Sequence, residues 1–385
     1  MDAATIEVRD TVREATKGVV EKFGRDYYVA KARDGGYINE MWEAMAEQGI
    51  LGLGVPESCG GSDGGMVEVV SAMEAMSQAG TPPLLYLLTA FAREAIIRHG
   101  NTEQRERLVR PTVTGDLKLC FAVTEPNAGS NTFRTETLAR RTPHGYAING
   151  QKIWISGADE ADYAVLVVRT TLLRDVEDRR EGLSLFALPM DAPGVELQKL
   201  NVDMSAPERQ YIVYLDDCEV GDEALIGEEG RGFHYVFDAL NPERMLVAAW
   251  ALGIGDYALD KAVVYARSRE PFGTPIGGYQ ALQHPLARAK AHLEAARLAL
   301  YDAASTYDRG GNAGPTANIC KLLASEAAVS ACDIAIQVHG GYAFDQDYDL
   351  LPLWQMARLL KIAPINNEMI LNYLGEHVLG LPRSY

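Results

Sequence analysis

One segment of the sequence has residues suited to binding a phosphate or the edge of a polar ring. Residues 121–131 read FAVTEPNAGSN, so Val123 and Thr124 lie on a predicted strand that runs into a turn containing Gly129 and Ser130. A turn of this kind presents several backbone N–H groups, which can surround a phosphate or donate to a polar ring. A turn that binds no ligand has the same composition, and the segment alone leaves both interpretations open.

Motifs of other enzyme classes are absent or lack their structural context. Residues 253–258, GIGDYA, match the GxGxxA dinucleotide pattern, but a dinucleotide site needs a strand before the motif. Helical spacing continues through this segment, which predicts a close crossing of two helices at small residues. The sequence contains no HExxH and no CxxC, and we therefore predict no metal site.

The charge balance disfavours some classes of partner. The 385 residues include 36 Lys and Arg against 53 Asp and Glu, which gives a formal net charge of −17. Nucleic acids and anionic membrane surfaces both require a basic face, so we expect neither as a partner. No apolar run reaches the roughly 18–20 residues that span a bilayer, and the acidic N-terminus does not resemble a signal peptide. The five scattered cysteines suit reduced thiols, and we predict a cytoplasmic protein.

The spacing of apolar residues along the sequence divides the chain into three parts. Helical spacing extends to about Leu117, β-branched and aromatic runs bounded by turns occupy the middle, and helical spacing returns from Gly232. We predict an α+β fold with an N-terminal α-helical domain (1–117), a small middle β-barrel or sandwich domain (118–228) and a C-terminal four-helix bundle (229–385). Within the middle domain, Asn149-Gly150 predicts a type I′ hairpin turn.

Four motifs in this order resemble the acyl-CoA dehydrogenase family. Residues 121–131 are followed by NGQKIWISG at 149–157, REPFGTPIGGYQ at 269–280 and QVHGG at 337–341. The resemblance extends from about Met41 to His377 and thus covers nearly the whole chain. Each motif is weak alone, whereas the ordered set at family-like spacing is highly specific.

The resemblance implies that FAD is the cofactor and that the middle domain supplies part of its site. Val123 and Thr124 would line the pyrimidine edge of the flavin, Trp154 would pack on its ring, and the Ser156 hydroxyl would hydrogen-bond near flavin N5. A donor there suits an atom that takes up a hydride and then carries a proton. The implied cofactor-binding residues of this domain are Phe121, Val123, Thr124, Gly129, Ser130, Trp154, Ile155 and Ser156, of which Ser130 also serves the substrate.

Two C-terminal segments are implied to reach the FAD of a neighbouring subunit. Arg269 suits a diphosphate because it forms charge-assisted bidentate hydrogen bonds, although a salt bridge at a helix end is its structural alternative. The implied residues are Arg269, Phe272, Gln280, Gln337, Gly340 and Gly341. The resemblance therefore implies a homodimer or homotetramer, with an electron-transfer flavoprotein as the acceptor of the electrons.

The sequence departs from the family at the position of its usual catalytic acid. Counting from Gly340-Gly341, that acid falls at Pro364, and proline can neither abstract nor deliver a proton. The isovaleryl- and long-chain-acyl-type branches of the family carry their base on an earlier helix, as a Glu directly before Arg. Glu243-Arg244 matches that dipeptide, so we predict Glu243 as the catalytic base and Arg244 as a substrate-binding residue.

Other interpretations of these acids stay open at this point. Glu243 can also be a solvated residue in the first turn of a helix, where the helix dipole favours it. Glu368 and Glu376 are weaker candidates for the base.

The predicted reaction is the α,β-oxidation of an acyl-CoA thioester, in which Glu243 takes the α-proton and flavin N5 accepts the β-hydride. Enolate charge develops on the thioester oxygen and needs N–H donors. Because Pro364 has no N–H, Ile365 or Asn366 would have to donate. The alternatives are an acyl-CoA reductase or a flavin monooxygenase of the same fold, and a non-catalytic protein that binds FAD and acyl-CoA. The sequence does not give the length or branching of the acyl chain.

Overall fold

The computed structural model describes residues 3–384; Met1, Asp2 and Tyr385, at the ends of the predicted terminal domains, lie outside the described residues. The chain forms two compact units. The first, called the helical unit, comprises the residues up to Val29, Gly64–Pro82 and the residues from Asn241 onward. The second, called the sheet unit, comprises Ala30–Asp63 and Pro83–Leu240.

Helices make up most of both ends of the chain. Those described are α1 (Ala3–Val20), α2 (Gly24–Asp34), α3 (Asn39–Glu47), α4 (Met66–Gln78), α5 (Leu84–His99), α6 (Thr102–Gln104), α7 (Arg110–Thr114), α8 (Gly232–Ser268), α9 (Gln280–Asp308), α10 (Gly314–His339), α11 (Leu350–Leu359) and α12 (Asn367–Tyr373). A π-helical segment, Arg105–Val109, joins α6 to α7, and another, Leu374–Val378, follows α12. None of the described helices has an apolar stretch long enough to cross a bilayer.

The middle of the chain forms an eight-stranded sheet. Its strands are β1 (Leu119–Ala122), β2 (Leu138–Thr142), β3 (Gly145–Ser156), β4 (Tyr163–Arg169), β5 (Leu183–Pro189), β6 (Val195–Lys199), β7 (Gln210–Val220) and β8 (Leu225–Ile226). The strand order is β6-β7-β3-β2-β4-β5-β8, and β1 pairs with β4 in parallel. The predicted α+β fold, helical at both ends with a β-sheet domain in the middle, is confirmed, whereas the boundaries at 117 and 228 stay a prediction.

The predicted hairpin turn at Asn149-Gly150 is wrong. Strand β3 continues through both residues, and its register against β7 shifts between Ile148 and Gly150, which is a β-bulge. The actual turn is Pro143-His144, between β2 and β3. Gly150 adopts φ +146°. The Asn149 side chain donates a hydrogen bond to the Asp217 carboxylate on β7 and accepts one from the Asp217 N–H. A bulge and a type I′ turn both favour glycine at positive φ, so the dipeptide does not distinguish them.

The GIGDYA segment lies inside helix α8, as the helical spacing predicted. A Cβ added at Gly253 would collide with Ser77 of α4, and one at Gly255 would lie 2.7 Å from Leu293 Cδ2 of α9. The glycines therefore permit close helix packing and do not form a phosphate loop. Helix α8 has 37 residues, which corresponds to a length of about 55 Å.

Glu208 is a buried carboxyl group in the loop before β7. Its Oε1 accepts a hydrogen bond from the N–H of Leu85, at the start of α5, at 3.2 Å. Its Oε2 is buried and has no hydrogen-bond partner among the described residues. Burial, assisted by the negative charge of Glu160, raises the pKa of Glu208 to about 7.

We predict that Glu208→Gln stabilises the protein above neutral pH. The pKa of Glu208 is about 7 in the folded state, above its ordinary value of 4.5. Between about pH 4.5 and pH 7 the folded state therefore keeps a proton on Glu208 that the unfolded state has lost. The free energy of unfolding falls as the pH rises through this range. Glutamine keeps the acceptor for Leu85 and removes the charge, which should add about 3 kcal/mol to the free energy of unfolding at pH 8 and little at pH 4.

Urea unfolding at these two pH values measures the effect. Glu196→Gln, at an exposed glutamate on β6, is the matched control and should change neither value. A Glu208→Gln protein that keeps the pH dependence of the wild type would contradict the prediction.

Candidate active site

The predicted ligand-binding turn follows strand β1 in the sheet unit. Glu125 and Ala128 exchange two backbone hydrogen bonds of 3.1 Å, which closes a tight turn over the two residues between them. Gly129 and Ser130 come directly after this turn and are exposed, and no atom lies within 4 Å of a Cβ added at Gly129. A ligand can therefore approach the backbone closely there. Val123 is half-buried and lies between β1 and the turn.

A buried ion pair holds this turn against strand β3. Lys152 Nζ lies 2.7 Å from Glu125 Oε1 and also donates to the Val123 carbonyl at 3.0 Å. The Glu125 carboxylate accepts the N–H groups of Glu136 and Thr137 at 2.6 and 3.1 Å. Burial lowers the pKa of Lys152 to about 8. Burial alone would raise the pKa of Glu125, but Lys152 and the N–H donors outweigh it and lower that pKa.

Trp154 lies at a second bulge in β3. The register against β7 shifts between Ile153 and Ile155, and Trp154 adopts φ +63° with 55% of its surface exposed. A non-glycine residue in this region is strained by about 1–3 kcal/mol, and such strain clusters at functional sites. The exposed indole offers a flat apolar face to a ring system. Ile155 is buried in the sheet core, so its contact with a ligand could involve only its backbone.

Ser156 is held by a residue that the sequence analysis missed. Its Oγ lies 2.9 Å from Gln210 Oε1 and 2.7 Å from Gln210 Nε2, across the paired strands β3 and β7. Ser156 can thus donate its single O–H to Gln210 Oε1, or accept from Gln210 Nε2 and keep its proton for another acceptor. Phe121 on β1 packs on Phe91, with ring centroids 4.3 Å apart. Nothing in the sequence linked Gln210 to Ser156, because they are far apart along the chain.

A separate cavity of about 530 Å³ lies in the helical unit and brings Arg269 together with Gly340 and Gly341. No atom lies within 4 Å of a Cβ added at either glycine, and Gly340 adopts φ +60°. This open glycine backbone beside an arginine suits a diphosphate. The other predicted residues of this region, Phe272, Gln280 and Gln337, are exposed and do not line the cavity.

His339 also lines this cavity, although the sequence analysis assigned it no role. Its ring stacks on Tyr265 with centroids 4.3 Å apart, and its Nδ1 lies 2.8 Å from the Ala335 carbonyl oxygen. Burial lowers the pKa of His339 and favours the neutral ring. Its place in QVHGG, directly before the two glycines, was the available signal.

Glu243 and Arg244 are buried near the start of the helical-unit part of α8. Burial raises the pKa of Glu243 to about 8, against the opposing attraction of Arg244 and Lys321. Among the described residues, no side chain or backbone group hydrogen-bonds to the Glu243 carboxyl group. Arg244 instead donates to Asn241 Oδ1 at 2.9 Å, and its Nε is buried without a partner. A carboxyl group with no hydrogen bond and a raised pKa is suited to accepting a proton.

The weaker candidates for the base lie in more open surroundings. Glu368 is exposed in the first turn of α12, and the side chain of Glu376 is 38% exposed beside His377. Pro364 is exposed in the segment between α11 and α12. No group of three or more His, Cys, Asp or Glu side chains within residues 3–384 is placed to hold a metal ion.

Comparison with known proteins identifies relatives along the whole chain. Residues 3–116, 120–218 and 230–379 match the family descriptions "Acyl-CoA dehydrogenase, N-terminal domain", "middle domain" and "C-terminal domain". Acyl-CoA dehydrogenase FadE12 of Mycobacterium tuberculosis is 40% identical over 385 residues, covering 98% of both chains. A 3-(aryl)acrylate reductase of Clostridium sporogenes is 33% identical over 86% of this chain and 87% of its own length.

A solved structure is similar over nearly the whole chain. Butyryl-CoA dehydrogenase of Megasphaera elsdenii superimposes with a TM-score of 0.92, covering 98% of this chain and 100% of its own, at 28% identity.

We predict that Lys152→Met destabilises the sheet unit by about 3–5 kcal/mol, because it leaves the Glu125 carboxylate buried without its partner. The double variant Lys152→Met/Glu125→Met removes both charges and should recover part of the loss. Urea unfolding measures all three proteins. Lys199→Met, at an exposed lysine on β6, is the control. An equal loss of stability in Lys152→Met and in Lys199→Met would contradict the prediction.

Proposed function

We propose an activity for this chain from one premise: it belongs to the acyl-CoA dehydrogenase family, whose members are FAD-dependent oxidoreductases. FAD is accordingly its cofactor. The proposed reaction removes a proton from the α carbon and a hydride from the β carbon of an acyl-CoA thioester. The product is the α,β-unsaturated thioester, and the electrons pass to an electron-transfer flavoprotein.

The residues of the sheet unit fit the flavin part of FAD. The cofactor, when bound, supplies the acceptor for the β-hydride. We assign Trp154 to stacking on the ring system, because its indole is exposed at a strained bulge. Ser156 is assigned as the donor to flavin N5, and its O–H proton is available for this bond when Gln210 Nε2 donates to Ser156 Oγ. The open backbone at Gly129 and Ser130 is assigned to pyrophosphate and substrate.

Glu243 is proposed as the base that abstracts the α-proton. The supporting observation is that this buried carboxyl group has a raised pKa and no hydrogen-bond partner among the described residues. The proton passes from the α carbon to a Glu243 carboxylate oxygen. The N–H of Ile365 or Asn366 stabilises the charge that develops on the thioester oxygen, and Arg244 anchors the substrate.

We further propose that each FAD contacts two chains. Glu243 and Arg269 lie at opposite ends of the helical-unit part of α8, and 26 residues at the helical rise separate them by about 39 Å. An extended dinucleotide cannot cover that distance, so the diphosphate site at Arg269 serves the FAD of another subunit. Exposed apolar side chains, Phe272 at 83% and Phe344 at 69%, support an interface in this region. A homodimer or homotetramer follows.

A second candidate is the reverse reaction, reduction of an unsaturated acyl-CoA, which the similarity to the 3-(aryl)acrylate reductase favours. Anaerobic bleaching of the flavin by saturated acyl-CoA thioesters supports the dehydrogenase. Reoxidation of the reduced flavin by an unsaturated acyl-CoA alone supports the reductase. Rapid reoxidation by oxygen indicates a monooxygenase, and the absence of all three indicates a protein that only binds FAD and acyl-CoA.

Cytoplasmic localisation stays a prediction.

We predict that Glu243→Gln lowers the rate of flavin reduction by about 10²–10⁴-fold, the usual contribution of a general base. Because burial raises the pKa of Glu243 to about 8, the carboxyl group is mostly protonated at pH 6. The wild-type rate should therefore rise with pH and level off above about pH 8, and the variant should lose this rise. Anaerobic stopped-flow absorbance measures both effects. Glu368→Gln is the control, and wild-type rates in Glu243→Gln would exclude Glu243 as the base.

We predict that the double variant Arg269→Ala/Gln280→Ala purifies with little FAD, because it removes the proposed contacts to the cofactor of the neighbouring subunit. The ratio of flavin to protein absorbance measures occupancy, and light scattering measures the oligomeric state. Arg267→Ala, at an exposed arginine two residues earlier, should keep about one FAD per chain. Full occupancy in the double variant, or a wild-type monomer that holds FAD, would contradict the two-chain site.

A further inference from the structure

Lys321 is a buried lysine on α10 that belongs to none of the motifs discussed above. Its side chain is fully buried, and its Nζ donates to the Ile365 carbonyl at 2.7 Å and to Asn367 Oδ1 at 2.8 Å. Ser325, one turn further along α10, lies 3.1 Å from Asn367 Nδ2. One face of α10 is thus tied to the segment that joins α11 to α12.

This segment contains the position at which the sequence lacks the usual acid of the family. The Ile365 carbonyl and the Asn366 N–H belong to the same planar peptide unit, in which they point in opposite directions. A hydrogen bond from Lys321 to the carbonyl therefore fixes the direction of the N–H. It also polarises the peptide, which strengthens the N–H as a donor.

Lys321 also attracts two carboxylates electrostatically, that of Glu368 and that of Glu243. No carboxylate forms an ion pair with Lys321 among the described residues, and its attraction to Glu243 acts through space. Burial, assisted by repulsion from Arg244, lowers the pKa of Lys321 to about 8. Besides each other, the ionisable groups that act on Glu243 or Lys321 are Arg244 on α8, Lys361 after α11 and Glu368 on α12. Cys320 on α10 and Tyr373 on α12 act in turn on Arg244.

We propose that Lys321 is a positioning residue for the reaction: its ammonium group fixes the Ile365–Asn366 peptide and holds the negative charge of Glu243 by through-space attraction. The inference rests on the proposed function, in which Glu243 is the base, and on the Asn366 N–H as the donor to the thioester oxygen of the two proposed there. A structural role alone would give the hydrogen bonds but no coupling to the ionisation of Glu243. The two roles therefore differ in a measurable way.

The test is an infrared titration of the FAD-loaded protein. A protonated buried carboxyl group has its own C=O stretching band, and the band of Glu243 is assigned by its loss in Glu243→Gln. In the wild type this band should disappear with a midpoint at about pH 8. In Lys321→Gln, which keeps a donor for the Ile365 carbonyl, the midpoint should rise by about one pH unit or more. An unchanged midpoint in folded Lys321→Gln overturns the proposal.

Two further variants separate charge from hydrogen bonding. Lys321→Arg keeps the charge, and its midpoint should stay close to that of the wild type. Ser325→Ala removes the hydrogen bonds of the Ser325 hydroxyl to Asn367 and to the Leu322 carbonyl but no charge, and it should leave the midpoint unchanged. If Lys321→Gln does not fold, Lys321→Met, which also removes the charge, replaces it, with Lys361→Met as the matched control. A rise in Lys321→Met alone supports the proposal, and a rise in both, in neither or in Lys361→Met alone overturns it.

Activity measurements keep this inference separate from the proposed function. Lys321→Gln should slow flavin reduction at pH 7 by about tenfold, which corresponds to a one-unit shift, and the loss should shrink at pH 9. Wild-type rates in Glu243→Gln would refute Glu243 as the base. The infrared shift would then still stand as electrostatic coupling between the two residues.

Discussion

The Glu125–Lys152 ion pair fixes the part of the sheet unit on which the proposed flavin contacts depend. Two opposite charges are removed from water there, and such a pair is stable only when hydrogen bonds satisfy its remaining atoms. Val123, Glu136 and Thr137 supply those bonds through their backbones. The end of β1, the turn after it and strand β3 are consequently held in one arrangement. Trp154 and Ser156 lie just beyond Lys152 on the same strand, so the ion pair also fixes where they lie.

The carboxyl group of Glu243 lies in an environment opposite to that of Glu125. Glu125 accepts several hydrogen bonds and an ammonium charge, and its pKa is lowered. Glu243 is equally buried but accepts no hydrogen bond among the described residues, and its pKa is raised. A carboxylate that accepts several protein hydrogen bonds stabilises structure, whereas a buried one that has no protein donor is suited to exchanging protons near neutral pH. Two environments thus give one residue type a structural role and a proposed chemical role.

Local patterns predicted the elements better than the contacts between them. The small residues of GIGDYA correctly predicted a helix crossing, because a helical period is visible within one segment. The hairpin at Asn149-Gly150 was wrong, because a turn and a bulge make the same demand on glycine. Helix α11 has no clear signal in the sequence, since Pro352 and the short apolar run around it give no helical period.

In the candidate site too, residues within a motif were predicted from the sequence, whereas contacts between distant residues were not. Two of the four motifs, residues 269–280 and 337–341, supply Arg269, Gly340 and Gly341 to one cavity. Gln210 and Lys321 were missed, because their partners Ser156 and Ile365 lie 54 and 44 residues away along the chain. Such pairings exist only after folding, and a single sequence carries no sign of them.

The length of α8 has a consequence for mixed assemblies of this protein. The proposed base lies on this helix, the proposed diphosphate-binding arginine directly follows its last residue, and the two are proposed to serve different cofactors. A chain with a defective base and a chain with a defective arginine could therefore combine their intact ends in a single site. Two alleles that are each inactive could complement one another in the same cell, and a single defective copy could impair the product of a normal one.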